Sequence, residues 1–144
     1  MSKLLERLSD PEKSGVYRVS HDRDMRDAIA ESSHDLAAVA LAPGKAGMLE
    51  ATAKALGFPD WFGGNWDALE DCLTDLSWRV AAPRAFIFSG AAPGDEFGIL
   101  RDVLESAAGY WGGRGEAFFA VFVDPAGVLP LPSLYKERVR GPGD

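Results

Sequence analysis

The sequence predicts an α/β domain built on a small parallel sheet, with three core strands and an extra N-terminal strand packed by helices in two or three layers. Apolar runs that read as strands alternate with amphipathic runs that read as helices, in the order strand, helix, strand, helix, helix, strand, helix, strand. Such alternation places right-handed crossover helices against a mostly parallel sheet. The composition is that of an ordinary globular chain of 144 residues, 47% hydrophobic and 26% charged. That is enough to bury one core in a single domain, 1–144, without disulfides or metal.

After a polar lead-in, residues 15–20 (GVYRVS) alternate Val16, Tyr17 and Val19 with small or charged residues and read as a short strand. Residues 22–33 carry Met25 and Ile29 among charges, a weak amphipathic helix with Asp22 as its candidate N-cap. Residues 35–42 (DLAAVALA) are a continuous apolar run closed by Pro43-Gly44, the pattern of a strand covered on both faces. Residues 45–56 put Met48, Leu49, Thr52, Ala53 and Leu56 on one side of a second helix. Residues 57–64 (GFPDWFGG) form a turn by their Gly and Pro content, yet hold Phe58, Trp61 and Phe62. The clearest helix follows at 65–76 (NWDALEDCLTDL). A strand over 84–90, a helix over 96–110 and an almost wholly apolar strand over 117–124, expected to be central, complete the pattern. The Pro-rich tail, 125–144, is expected to pack loosely or not at all beyond Arg140.

The formal net charge is −7 and the sequence pI about 4.8. A nucleic-acid binder needs a basic footprint, so this balance argues against direct nucleic-acid contact and for a basic protein partner. Cys72 is the only cysteine, which excludes an internal disulfide and a cysteine-built zinc or iron–sulfur site and points to the reducing cytoplasm. The N-terminus lacks the apolar run of a signal peptide, and no stretch approaches the roughly 18 apolar residues of a membrane span. No membrane association and no cofactor are expected.

The acidity is local. Residues 57–78 hold Asp60, Asp67, Glu70, Asp71 and Asp75 and no Lys or Arg, whereas the other 122 residues hold 17 acidic and 15 basic side chains, a net of −2. On a helical wheel at about 100° per residue, Trp66, Leu69, Cys72, Leu73 and Leu76 form the buried stripe, while Asp67, Asp71, Thr74 and Asp75 lie opposite with Glu70 at the border. Asn65 is a good N-cap, and Asp67 in the first turn complements the helix dipole. Asp71 and Asp75 lie beyond the dipole's reward, and like charges four apart cost about 0.2–0.5 kcal/mol per pair. A merely solvated face would interleave Lys or Arg, so the ridge reads as a surface for a cationic partner, with the neighbouring aromatics supplying anchors.

Enzymatic readings find less. His21 and His34 lack any H-x-E or H-x-x-x-H pattern. Asp67 and Asp71 on one helix, with no phosphate-cradling Gly loop or cleft-forming second domain, are weak evidence for glycoside hydrolysis or a magnesium site. Cys72 falls on the buried stripe and reads as a small core residue, not a nucleophile. No catalytic residue and no metal ligand is assigned.

The run PDWFGGNWDALEDCLTDL, Pro59 to Leu76, resembles the signature of the barstar family, intracellular inhibitors of an extracellular ribonuclease; its 18 residues match in spacing without a gap. The surrounding element order extends the resemblance over roughly 35–124, leaving 15–33 as an additional strand and helix. The resemblance implies a barstar-like three-stranded parallel sheet and inhibition by substrate mimicry, with carboxylates where RNA phosphates would lie. By position it implies Asp67 and Asp71 as principal anchoring acids, Trp61 as the aromatic loop contact, and Gly63, Asn65 and Thr74 as supporting positions. Glu70 and Asp75 join them from the charge pattern.

The chain departs from the family pattern in three places. Glu70 stands where the family's reference member has an aromatic between its two acids. The aromatic expected after Thr74 falls as Leu76 or Trp78. A further acid expected on the penultimate helix corresponds to Glu105 or is replaced by Ser106. The expected partner is an extracellular-type microbial ribonuclease, guanyl-specific, or an RNase toxin for which the chain is the immunity protein. The alternative is an adaptor or immunity module that binds a basic protein other than a guanyl-specific ribonuclease.

Overall fold

The computed structural model describes residues 3–135. Four strands, β1 (Gly15–Val19), β2 (Asp35–Ala40), β3 (Arg84–Ser89) and β4 (Phe118–Val123), form one sheet in the order β1-β4-β3-β2, with every pairing parallel. Five helices accompany them: α1 (Lys3–Leu8), α2 (Arg23–Ile29), α3 (Gly44–Leu56), α4 (Trp66–Leu73) and α5 (Asp95–Gly113). The layers number three. One face of the sheet, including Val16, Val39, Phe86, Phe88, Phe118 and Phe122, packs under α3, α4 and α5. The other, with Val19, Ile87, Phe119 and Val121, packs against Leu8 of α1, Met25 and Ile29 of α2, and Leu134.

β3 and β4 are central and buried on both faces; the lack of alternation predicts this for β4, whereas the sequence of 84–90 predicts only a strand. β2 is not. It is the edge strand beyond β3, and its side chains alternate, with Asp35, Ala37 and Val39 buried and Leu36, Ala38 and Ala40 exposed. The layer of α1 and α2 does not cover this strand. Short side chains read as apolar in sequence although they bury little area, so the run suggested two covered faces where there is one.

The N-terminal segment is more structured than its polarity suggests. Leu4, Leu5 and Leu8 bring α1 onto the second core, and a 3-10 turn at Pro11–Lys13 follows, capped by the Asp10 side chain. A Cβ on Gly112 would lie 2.8 Å from the Pro11 carbonyl oxygen, so α5 and this turn approach closely only because glycine stands there. α2 is shorter than the predicted 22–33; Asp22 stands at its N-cap position as expected, but its carboxylate accepts no capping bond and instead pairs with Arg26 at 2.7 Å. The tail packs through Leu129, Leu131 and Leu134, and it pairs along β1: Arg18 N–H donates to the Pro132 carbonyl and Leu134 N–H to the Arg18 carbonyl, each at 2.9 Å. The expected looseness beyond Arg140 lies outside the described residues.

Candidate functional site

The acidic unit leaves the domain at the end of α3 and returns to the same point. Leu56 closes α3, and its carbonyl has no helical partner ahead of it. Two donors from beyond α4 take it: the Trp78 indole N–H at 2.9 Å and Arg79 Nη1 at 3.0 Å. Arg79 is itself fixed by a two-pronged pairing with Asp35 at the start of β2, Nε to Oδ2 at 2.8 Å and Nη2 to Oδ1 at 2.7 Å. Residues 57–78 therefore span out from, and back to, one carbonyl oxygen.

Within the loop, the rings sort by burial. Phe58 and Phe62 stand edge-to-face with centroids 5.0 Å apart and pack on the main core. Trp78 meets Phe58 at 5.9 Å and Trp61 at 6.3 Å, also edge-on. Trp61 itself stays 57% exposed, so it is the loop aromatic offered to solvent. Of the two candidates for the aromatic after Thr74, Leu76 is a buried core residue and Trp78 the ring beside Trp61. Gly64 takes φ +73°, which explains the second glycine of the pair; Gly63 has no such requirement, and a side chain there would meet only ordinary contacts.

Asn65 caps α4 as its sequence predicts, its Oδ1 accepting from Ala68 N–H at 2.7 Å. Leu69, Cys72 and Leu73 are fully buried beneath the helix, with Trp66 partly so. Burial, reinforced by the charges of Asp71 and Asp75, pushes the Cys72 thiol up to about 11. The helix ends at Leu73, earlier than the predicted 76. Thr74 caps it, with its N–H and Oγ1 both donating to the Glu70 carbonyl, at 3.0 and 2.8 Å. Leu76 then turns into the core with φ +50°. Leu76 is buried as its spacing predicts, but through a left-handed turn, so Asp75 lies in that turn and not on the helix.

The far end of α4 is held from α5 and β3. Trp111 Nε1 donates to the Leu73 carbonyl at 2.7 Å, and the buried Arg84 guanidinium stacks over the Trp111 ring at 4.4 Å. Burial lowers the Arg84 pKa while Glu116 and Asp35 oppose that shift.

Asp67, Asp71 and Asp75 are exposed and form no ion pair with a described residue. Glu70 differs: it is half-buried, and Ser106 Oγ on α5 donates to its Oε2 at 2.7 Å. Ser106 thus faces α4, whereas Glu105 lies on the other flank of α5, lining a recess with Gly15 and Tyr17. The fold brings Trp61, Gly63, Asn65, Asp67, Glu70, Asp71, Thr74 and Asp75 together in one loop–helix–turn unit. Sequence reasoning missed the Arg79 clamp and the Ser106 contact. A basic residue placed directly after a segment otherwise free of bases was the one available signal for the clamp.

His34 is engaged elsewhere, its ring nitrogens 3.2 Å from the Leu8 carbonyl and 2.9 Å from Ser32 Oγ. Among the described residues, no group of three or more His, Cys, Asp or Glu side chains is placed to hold a metal ion, and no helix is long and apolar enough to cross a membrane. Compared with known proteins, the chain matches the family model described as Barstar (barnase inhibitor) over residues 35–123. No curated protein and no solved structure matches it.

Proposed function

The chain belongs to the barstar family, and from that membership we propose that it is an intracellular, non-enzymatic inhibitor of an extracellular-type microbial ribonuclease or RNase toxin. The observation that carries the reading is the set of three exposed carboxylates, Asp67, Asp71 and Asp75, unpaired among the described residues and beside the exposed Trp61. They lie within the matched region.

A ribonuclease active site already holds cations arranged for a phosphate. Asp67 and Asp71 stand on a helix capped at Asn65 and pinned at Leu73, so their backbone needs little ordering to meet those cations and less of the interaction is lost to conformational entropy. Trp61 contributes apolar area that excludes water around the charge pairs. The inhibitor would act by occupying the active site, with no contact to RNA, no cofactor and no membrane.

The test is inhibition of a panel of guanyl-specific extracellular microbial ribonucleases. Wild type is expected to inhibit at least one member. Asp71→Ala would leave a buried partner cation unpaired and so is expected to weaken inhibition by about 3 kcal/mol or more, ~150-fold. Absence of inhibition by wild type at micromolar concentration would refute the proposal for those enzymes.

A further inference from the structure

Glu70 is the one acid of the unit whose carboxylate is held by another element. Ser106 Oγ donates to its Oε2 at 2.7 Å, across a separation of 36 residues. The backbone beneath it is fixed too, since the Glu70 carbonyl accepts both the N–H and the hydroxyl of Thr74. The donor is neutral. A lysine or arginine at 106 would orient Glu70 and also consume its charge; a serine orients it and leaves the full negative charge, with Oε1 free. Asp67 precedes Glu70 by three residues and Asp71 by four, so Asp67 neighbours both, with Glu70 and Asp71 on either side of it one turn on.

From this geometry we infer that Glu70 is a further anchoring acid, beside Asp67 and Asp71, and that Ser106 is the positioning residue that presents it. The inference rests on the inhibitor reading and extends it to the partner's chemistry. The partner carries a cationic side chain over the seam between α4 and α5, beside the groups met by Asp67 and Asp71. Glutamate has three rotatable side-chain bonds and loses that freedom on pairing, so a carboxylate already held by Ser106 loses less.

The experiment uses a ribonuclease that wild type inhibits, with association and dissociation rates measured against salt. Glu70→Gln keeps an acceptor for Ser106 but removes the charge; it is expected to slow association, weaken binding about tenfold and flatten the salt dependence. Ser106→Ala is expected to raise the dissociation rate roughly threefold to tenfold with the salt dependence unchanged. Ser106→Thr is expected to restore the wild-type rate, and Ser106→Ala to have no further effect in a Glu70→Ala background. In the free protein, side-chain NMR couplings are expected to report one Glu70 rotamer in wild type and averaging in Ser106→Ala.

A purely structural tie between the helices predicts that Glu70→Gln binds like wild type, and that result overturns the inference. So does an unchanged dissociation rate in Ser106→Ala when Asp71→Ala weakens binding; the inhibitor reading then stands without it. If Asp71→Ala is also without effect, or wild type inhibits nothing, the reading itself falls and this inference with it.

Discussion

Replacing Arg79 with methionine tests whether the acidic unit is clamped as described. The guanidinium makes three hydrogen bonds, two to Asp35 at 2.7 and 2.8 Å and one to the Leu56 carbonyl at 3.0 Å, and it lies over the Phe86 ring at 5.7 Å. Methionine keeps much of the apolar stem and removes the charge. What remains is a carboxylate on Asp35, a residue only 7% exposed, with no hydrogen-bonded cation; only the charge of Arg84, its register partner on β3, still acts on it. Breaking a buried pair from one side costs about 3–5 kcal/mol, a large share of the ~5–15 kcal/mol that holds a domain together. The loss at Leu56 adds little, because the Trp78 indole still donates to that carbonyl. Urea unfolding at neutral pH is the assay, read as a lower midpoint at unchanged slope. The double variant Asp35→Leu with Arg79→Met removes both charges, and its cost is expected to fall to about 1–2 kcal/mol because no buried charge is left unpaired. A single variant that costs under about 1 kcal/mol, or a double variant that costs as much as the two singles together, would refute the reasoning.

Asn65→Ala is expected to lose about 1 kcal/mol in the same urea assay, because Ala68 N–H loses its acceptor, whereas Asn65→Asp retains most of it. Gly112→Ala places a methyl group 2.8 Å from the Pro11 carbonyl oxygen and is expected to cost about 1–3 kcal/mol, with faster hydrogen exchange in α1 and the 3-10 turn than in α4. The Cys72 thiol, raised from its usual value of 9.0 to about 11, stays protonated in the folded state through pH 9, so a thiol reagent at pH 8 should label it only as fast as the protein opens. Because the folded value is the higher one, its contribution to stability is complete below about pH 9 and declines as the pH rises toward about 11; a thermal midpoint that rises across that window in wild type relative to Cys72→Ala contradicts this sign. Association with a ribonuclease is expected to slow at least tenfold between about 0.01 M and 0.15 M ionic strength, measured by stopped flow.

The parts of the site that were legible in the sequence are those whose signal is local. Asn65 ahead of an amphipathic run, five acids without a base, and aromatics in a Gly-Pro turn all fall within 22 consecutive residues. The central place of β4 was legible, because its bulky apolar residues leave no polar face. β2 misled because alanine is compatible with either a covered or an open face, so its four alanines in 35–42 say little about what lies above them. The end of α4 misled because Leu76 keeps the helical spacing of Leu69, Cys72 and Leu73 while reaching the core from a left-handed turn. Pairings across the fold, Ser106 with Glu70 and Arg79 with Asp35, join residues 36 and 44 positions apart and leave no pattern in a single sequence.

The return of both ends of residues 57–78 to the Leu56 carbonyl makes that stretch a cassette. Its closure is met by groups away from the exposed carboxylates, so exchanging Asp67 or Asp71 leaves the closing bonds in place. Surface replacements of this kind cost little stability. The exposed carboxylates can therefore be exchanged one side chain at a time while Arg79, Asp35 and the Leu56 carbonyl keep the frame, so what the outer face presents is uncoupled from what holds it in place.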